Sequence, residues 1–138
     1  MIGPNVIILV GFPGSGKSTW VKQHYDQFAR LDGDALKTSV KVVKALHNEL
    51  EKRRNVVVDA TNVTLERRSA LITEAKKYNC KIYAVVFIVS VEECIRRVKD
   101  REDKGGPHIP KIAIYKSNST YVEPTINEGF DQIVHIKY

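Results

Sequence analysis

Long apolar runs and cysteine frameworks are both missing from this sequence. The apolar runs at residues 6–10 and 84–89 fall far short of the ~18 residues of a membrane-spanning helix. The only two cysteines, Cys80 and Cys94, have no metal-ligand spacing, which predicts buried thiols in a reducing compartment. No basic segment followed by an apolar stretch, the pattern of a signal peptide, opens the sequence. We therefore expect an intracellular, cytoplasmic protein, or a nuclear one in a eukaryote, with no membrane partner.

The composition predicts one globular domain over residues 1–138. Hydrophobic residues make up 43% of the chain and charged residues 28%, as is ordinary for globular proteins. No repeat, low-complexity tract or linker divides the sequence. An excess of 22 Lys and Arg over 16 Asp and Glu gives a net charge of +6. This charge fits either a solvated basic surface or a polyanionic partner, and composition alone does not separate the two.

A phosphate-binding loop directly follows the first apolar run. Residues 11–18 read Gly-Phe-Pro-Gly-Ser-Gly-Lys-Ser and satisfy the pattern G-x-x-x-x-G-K-[ST], in which glycines let backbone N–H groups turn toward phosphate. Lys17 supplies a positive charge for the β- and γ-phosphates, and the Ser18 hydroxyl is a ligand for Mg²⁺. The sequence therefore predicts that ATP or another nucleoside triphosphate binds, with Mg²⁺, at Gly11, Pro13, Gly14, Ser15, Gly16, Lys17, Ser18 and Thr19.

Apolar strands alternate with amphipathic helices along the chain. One helix is predicted over about residues 35–53 from apolar positions at helical spacing, and a loop over 100–109 from charged residues and a Gly-Gly-Pro sequence. The βαβα order predicts an α/β fold, a three-layer αβα sandwich with a parallel sheet and ligands at the carboxyl ends of the strands. The expected strands are 6–10, 30–32, 55–59, 81–89 and 130–136, and the helices begin near 17, 35, 65, a capping box at 90–93, and 110.

Asp34 is the candidate catalytic base. It lies two residues beyond the end of the second expected strand, at the start of a helix. A carboxylate there can accept the proton of an attacking hydroxyl group, as kinases require. The alternative is that Asp34 only caps the helix, where Asp is favoured. We favour the catalytic role, and we expect the neighbouring Asp32 to be structural.

Asp59 is the second candidate metal residue, beside Ser18. It ends the strand Val-Val-Val-Asp, at the position from which P-loop proteins often orient Mg²⁺ through water. The alternative is a strand-end carboxylate that caps the turn at Thr61 and Asn62.

Arg97 and Arg101 lie four residues apart and therefore share one face of a helix that leads into the Gly105–Gly106 loop. Two arginines on a mobile lid suit a clamp that neutralises charge on a phosphoryl group during transfer. The alternative is a solvated basic helix, since Arg96 and two lysines lie nearby.

Together these motifs resemble the 5′-hydroxyl polynucleotide kinases, in particular the kinase domain of the polynucleotide kinase-phosphatases. The similarity covers the loop at 11–20, the Asp at the start of the second helix, the Asp-Ala-Thr-Asn…Arg-Arg stretch of 59–68, and the spacing of the two lid arginines. The most discriminating part runs from His-Ile-Pro at 108–110 to Glu-Gly-Phe at 128–130. The resemblance implies a P-loop NTPase fold of the adenylate-kinase-like type with an arginine-bearing lid.

The resemblance also implies an ATP- and Mg²⁺-dependent kinase that phosphorylates the 5′-OH end of DNA or RNA. It assigns Asp34 as general base. Lys37 stands where the family has an arginine that grips the acceptor phosphate, and lysine is a point charge without a bidentate fork. Arg67 and Arg68 are predicted to help Lys37 hold substrate phosphates. No phosphatase or ligase segment is recognisable, so we expect end-healing partner enzymes on separate chains.

Two other functions remain open at this point. One is a P-loop kinase that phosphorylates a small-molecule hydroxyl group, such as that of a nucleoside or metabolite. The other is a non-catalytic nucleotide-binding module, against which Asp34 speaks, because a protein that only binds nucleotide needs no base at that position.

Overall fold

The computed structural model describes residues 3–138, and five parallel strands form its central sheet. The strands stand in the order β2-β3-β1-β4-β5, each parallel to its neighbours. The parallel sheet predicted from the alternation of strands and helices is confirmed. The strands are β1 (Asn5–Val10), β2 (Ala29–Asp32), β3 (Val56–Asp59), β4 (Lys81–Ile88) and β5 (Gln132–Lys137).

Helices cover both faces of the sheet. Alternate side chains of β1 point to opposite faces and therefore pack against different helices. Val6, Ile8 and Val10 pack in the larger core beneath the helices at 39–51 and 65–76, whereas Ile7 and Leu9 pack against the helix at 17–24. This arrangement is the predicted three-layer sandwich. The helices are α1 (Lys17–His24), α2 (Gly33–Leu36), α3 (Ser39–Glu51), α4 (Leu65–Lys76), α5 (Val91–Asp103) and α6 (Lys111–Thr120), with a 3₁₀ turn at Ile126–Glu128. Among the described residues, no helix combines the length and apolarity that a membrane crossing needs.

The single helix predicted over residues 35–53 is two helices, and the prediction was wrong at the break. Lys37 has a φ of 73°, in the left-handed region that interrupts a helix. The Thr38 side chain then accepts a hydrogen bond from the Lys41 amide and starts α3. The apolar spacing continues across the break, so periodicity alone could not show it. Lys37 consequently lies in a tight turn at the carboxyl end of the sheet.

The predictions around α5 also need correction. The helix runs to Asp103, so the charged residues at 100–103 are helical and the loop starts only at Lys104. The capping box at 90–93 is half formed: Ser90 accepts a hydrogen bond from the Glu93 amide, but the Glu93 carboxylate binds arginines instead. A complete capping box, which the sequence reading did not identify, links Thr125 and Glu128 in the 3₁₀ turn.

Candidate active site

The phosphate-binding loop joins β1 to α1, and glycine is required at two of its positions. Gly14 and Gly16 have φ values of 83° and 95°, a region open mainly to glycine. A Cβ atom on Gly16 would also lie 2.5 Å from the Tyr138 ring. No side chain caps the amino end of α1, so its first N–H groups are available to an anion, and the helix dipole favours one there.

Lys17 opens α1 and its side chain is folded back over the loop. Its Nζ donates hydrogen bonds to the carbonyl oxygens of Gly11 at 3.0 Å and Phe12 at 2.8 Å, and to Ser15 Oγ at 3.4 Å. Burial lowers the pKa of Lys17 to about 8, against the opposing effect of the Asp59 carboxylate. A buried ammonium group held only by neutral oxygens gains a stronger partner when a phosphate group arrives.

Ser18 and Asp59 meet because β3 lies beside β1 in the sheet. Ser18 Oγ donates a hydrogen bond of 2.9 Å to Asp59 Oδ2. The turn after β3 is held by Asn62 instead, whose Nδ2 donates to the Leu9 carbonyl at 2.8 Å, so the structure gives no support to Asp59 as a turn cap. A hydroxyl and a carboxylate are hard oxygen ligands that fit Mg²⁺, which usually takes few protein ligands beside phosphate and water. The described residues contain no cluster of three or more His, Cys, Asp and Glu ligands.

Arg30 completes this group, and sequence reasoning missed it. Its Nε and Nη2 each lie 2.8 Å from Asp59 Oδ2, and Nη2 also donates to Ser18 Oγ at 3.2 Å. Arg30 is exposed on β2, a strand of only four residues. The only sequence signal was a charged residue two positions before Asp32 in a strand, which does not show that its side chain reaches β3.

Asp32 and Asp34 differ in their hydrogen bonds. Asp32 Oδ1 accepts hydrogen bonds from the Asp34 amide at 3.0 Å and the Ala35 amide at 3.4 Å, and it is therefore the cap of α2. The Asp34 carboxylate makes no hydrogen bond or ion pair with any of residues 3–138. The alternative that Asp34 caps the helix is wrong, whereas the structural role expected of Asp32 is confirmed. Asp34 thus presents a free carboxylate at the carboxyl end of the sheet.

Two adjoining pockets are both lined by Asp34. The first, the P-loop cleft, has a volume of about 440 Å³ and is lined by Pro13, Gly14, residues 16–19, Asp59 and Arg101. The second, the side pocket, has a volume of about 150 Å³ and is lined in part by Lys37 and Arg67. Besides Asp34, the residues common to both walls are Ala60 and Thr61.

The two arginines of α5 lie in different surroundings. Arg101 lines the P-loop cleft. Arg97 is held beside the loop backbone: its Nη1 donates to the Ser15 carbonyl at 3.3 Å and its Nη2 to the Tyr138 carbonyl at 2.9 Å. Arg97 also pairs with Glu93, and hydrogen bonds from Arg96 and Arg97 lower the pKa of Glu93 to about 2. Arg97 and Arg101 thus lie on one helix as expected, but of the two only Arg101 lines the P-loop cleft. The arginine clamp stays a prediction.

Adjacent arginines at the start of α4 differ in burial. Arg67 is exposed and lines the side pocket, but Arg68 has no exposed surface. Arg68 Nε and Nη2 bind the Glu128 carboxylate at 2.8 and 3.2 Å, and Nη1 donates to the Asn62 carbonyl at 3.1 Å. The prediction that Arg68 contacts substrate is therefore wrong. Arg68 instead ties α4 to the 3₁₀ turn, and a local sequence of two arginines gave no sign of which one is buried.

Replacing Arg68 with Ala should destabilise the fold by about 3–5 kcal/mol, because it leaves the Glu128 carboxylate without its buried partner. The neighbouring exposed substitution, Arg67→Ala, is the matched control and should change stability by less than about 0.5 kcal/mol. Urea unfolding of both variants measures the difference. Equal stability of the two variants would show that the buried ion pair has no structural role.

The chain matches a family model described as the AAA domain over residues 6–124. It is 33% identical over 137 residues to a bifunctional polynucleotide phosphatase/kinase of Schizosaccharomyces pombe, covering 96% of this chain and 33% of that protein. The chain spans about a third of the length of this relative and of a putative bifunctional polynucleotide phosphatase/kinase of Acanthamoeba polyphaga mimivirus.

Two solved structures share the fold. A chain of the Pnkp1/Rnl/Hen1 RNA repair complex superposes with a TM-score of 0.73 at 29% identity, over 87% of this chain and 44% of that one. Chaetomium thermophilum Kti12, solved in complex with ADP-AlF3, superposes with a TM-score of 0.75 at 17% identity, over 96% of this chain and 89% of that one. At that identity the second likeness concerns the fold alone.

Proposed function

This chain belongs to the AAA domain family, and on that premise we propose that it is an ATP-dependent kinase acting on the 5′-hydroxyl end of DNA or RNA. The observation that carries the proposal is that Asp34, whose carboxylate is unpaired within residues 3–138, lines both the P-loop cleft and the side pocket. A kinase needs its base between the phosphate donor and the acceptor hydroxyl. A module that only binds nucleotide has no use for a second pocket at that carboxylate.

The residues of the P-loop cleft bind and orient the donor. Lys17 and the N–H groups at the start of α1 hold the phosphates of ATP. Ser18 and Asp59 would hold Mg²⁺, which supplies positive charge to the β- and γ-phosphates when it is bound. Arg101 lines the same cleft and stabilises negative charge on the phosphoryl group during transfer.

Asp34 acts on the acceptor. Its carboxylate accepts the proton of the 5′-hydroxyl as that oxygen forms a bond to the γ-phosphorus atom. The bond between the γ-phosphorus and the bridging oxygen breaks, and ADP leaves with that electron pair. The proton then passes from Asp34 to solvent, which the exposure of this side chain allows.

The side pocket provides the charges that a polynucleotide needs. Lys37 and Arg67 are exposed, line the pocket and make no ion pair within residues 3–138. Two unpaired cations beside the base can bind a phosphate group next to the acceptor nucleoside. The similarity to a polynucleotide phosphatase/kinase and to a chain of an RNA repair complex supports a nucleic acid over a small molecule as acceptor.

Phosphate transfer to oligonucleotides tests this proposal. Oligonucleotide affinity should fall as salt rises, with a log–log slope of roughly −0.7 for each phosphate contacted on a single strand. Lys37→Ala should weaken the use of an oligonucleotide or a 3′-phosphorylated nucleoside and make the slope shallower, while Lys37→Arg should be tolerated or improve it. Lys81→Ala is the matched control, because Lys81 is exposed at the opposite end of the sheet, where β4 begins.

A small-molecule kinase would behave in the opposite way. It would phosphorylate a free nucleoside or metabolite efficiently, gain nothing from an added 3′-phosphate, and depend little on salt. Kinetics on these acceptors with labelled ATP therefore decide between the two acceptor classes.

A further inference from the structure

The Arg30 guanidinium lies against one oxygen of the Asp59 carboxylate, which the proposed metal site uses. Arg30 Nε and Nη2 both lie 2.8 Å from Asp59 Oδ2, and Ser18 Oγ donates to the same oxygen at 2.9 Å. A carboxylate oxygen has about two lone-pair directions. The hydrogen bonds from Arg30 Nε and Ser18 Oγ occupy both on Oδ2, so a metal ion or metal-bound water that uses this oxygen has to displace one of them.

Arg30 is also the cation that pairs with this buried carboxylate. The Asp59 side chain is 4% exposed and its salt bridge is to Arg30. Lys17, the other nearby cation, directs its Nζ to the loop carbonyls and Ser15. Arginine stays protonated at any physiological pH, so it compensates the Asp59 charge whenever no metal is bound. A metal ion that uses Asp59 therefore has to compete with a permanent internal cation.

A second carboxylate already lies within ion-pair distance of Arg30. Arg30 Nη2 lies 3.6 Å from Asp32 Oδ2, and Asp32 caps α2 with its other oxygen, Oδ1. The Arg30 side chain is 40% exposed, so it has room to change its position. If a metal ion displaced Arg30 from Asp59, the guanidinium would therefore still have Asp32 as a carboxylate partner. Asp32 also caps α2, the helix that carries Asp34.

We propose that Arg30 is a positioning residue that competes with Mg²⁺ for Asp59 and thereby sets the metal affinity of the P-loop cleft. In the nucleotide-free protein it keeps Ser18 and Asp59 together and weakens the binding of free metal. When nucleotide phosphates add their negative charge, the balance shifts toward the metal, and Arg30 moves to Asp32. The inference rests on the proposed phosphate and metal site, and it does not depend on which hydroxyl group is phosphorylated.

The test is direct metal binding by the full chain without nucleotide, with Mn²⁺ as the probe because it shares the oxygen preference of Mg²⁺. The electron paramagnetic resonance signal of free Mn²⁺ measures binding. Arg30→Met, which keeps much of the aliphatic stem and removes the charge, should bind Mn²⁺ on the order of tenfold more tightly than the wild-type chain, since it removes competing charge-assisted hydrogen bonds. Arg30→Lys, with one compact ammonium group, should lie between the two. Adding Asp59→Asn to Arg30→Met should abolish the gain.

Arg54→Met is the matched control, because Arg54 also pairs with a carboxylate, Glu49, at 3.3 Å, on a surface remote from the loop. Its Mn²⁺ affinity should equal that of the wild-type chain. Mn²⁺ binding by Arg30→Met that is equal to or weaker than that of the wild-type chain would overturn the proposal. Should Arg30→Met not fold, Arg30→Lys decides in the same way. Failure to phosphorylate any 5′-hydroxyl end would contradict the proposed function but leave these metal affinities unaffected.

Discussion

Asp34→Asn should slow phosphate transfer by ~10²–10⁴-fold, the usual contribution of a positioned general base. The amide keeps the size of the side chain but cannot take the proton of the hydroxyl group. Because Asp32 and not Asp34 caps α2, the substitution leaves the helix intact, and nucleotide affinity should stay near that of the wild-type chain. Rapid-quench measurement of transfer from labelled ATP, beside equilibrium binding of a nucleotide analogue, separates the two quantities.

Asp32→Asn is the control for this experiment. The asparagine retains an Oδ1 acceptor for the α2 cap but lacks the negative charge that pairs with Arg30, so transfer by this variant should fall far less than in Asp34→Asn. If Asp34→Asn transferred phosphate at a near-normal rate, Asp34 would not be the general base. A marked loss of phosphate transfer in Asp32→Asn would then make Asp32 the candidate base.

Lys17→Ala should abolish transfer altogether. The side chain supplies the positive charge that faces the β- and γ-phosphates, and its loss affects both binding and the charged transition state. Wild-type rates in Lys17→Ala would show that the phosphate-binding loop is not used as its motif implies. Lys17→Arg keeps the charge in a larger head group and therefore separates the effect of charge from that of shape.

Nucleotide affinity should also depend on pH through Lys17. Burial lowers the pKa of Lys17 to about 8 in the nucleotide-free protein, and the protonated form is the one that binds phosphate. Binding is therefore strongest below about pH 8. Above it, nucleotide has to bind together with a proton, and the dissociation constant should rise by up to about tenfold per pH unit. Lys17→Arg, which stays protonated, should show no such dependence in calorimetric titrations from pH 7 to 9.5. An equal slope in both proteins would assign the effect to another group.

Patterns within short stretches of sequence predicted the framework of the site. The loop motif is contiguous, so its glycines and Lys17 could be assigned without knowing the rest of the fold. The alternation of strands and helices predicted the parallel sheet, and the carboxyl ends of such strands meet at one edge. That rule predicted that Asp34 and Asp59 lie near the phosphate-binding loop. The hydrogen bond between Ser18 and Asp59, 41 positions apart in the chain, agrees with it.

The sequence by itself therefore determined the phosphate-binding loop, the layered fold and the edge of the sheet that carries the acidic residues. Tertiary structure alone decided which charged side chains are unpaired and which are held in ion pairs. It buried Arg68 against Glu128, 60 positions away, while leaving Arg67 exposed, and it joined Arg30 to Asp59, 29 positions away. The physical reason is that motifs and periodicity reflect interactions within a few residues, whereas the partner of a charged side chain depends on which elements pack together and how much water they exclude.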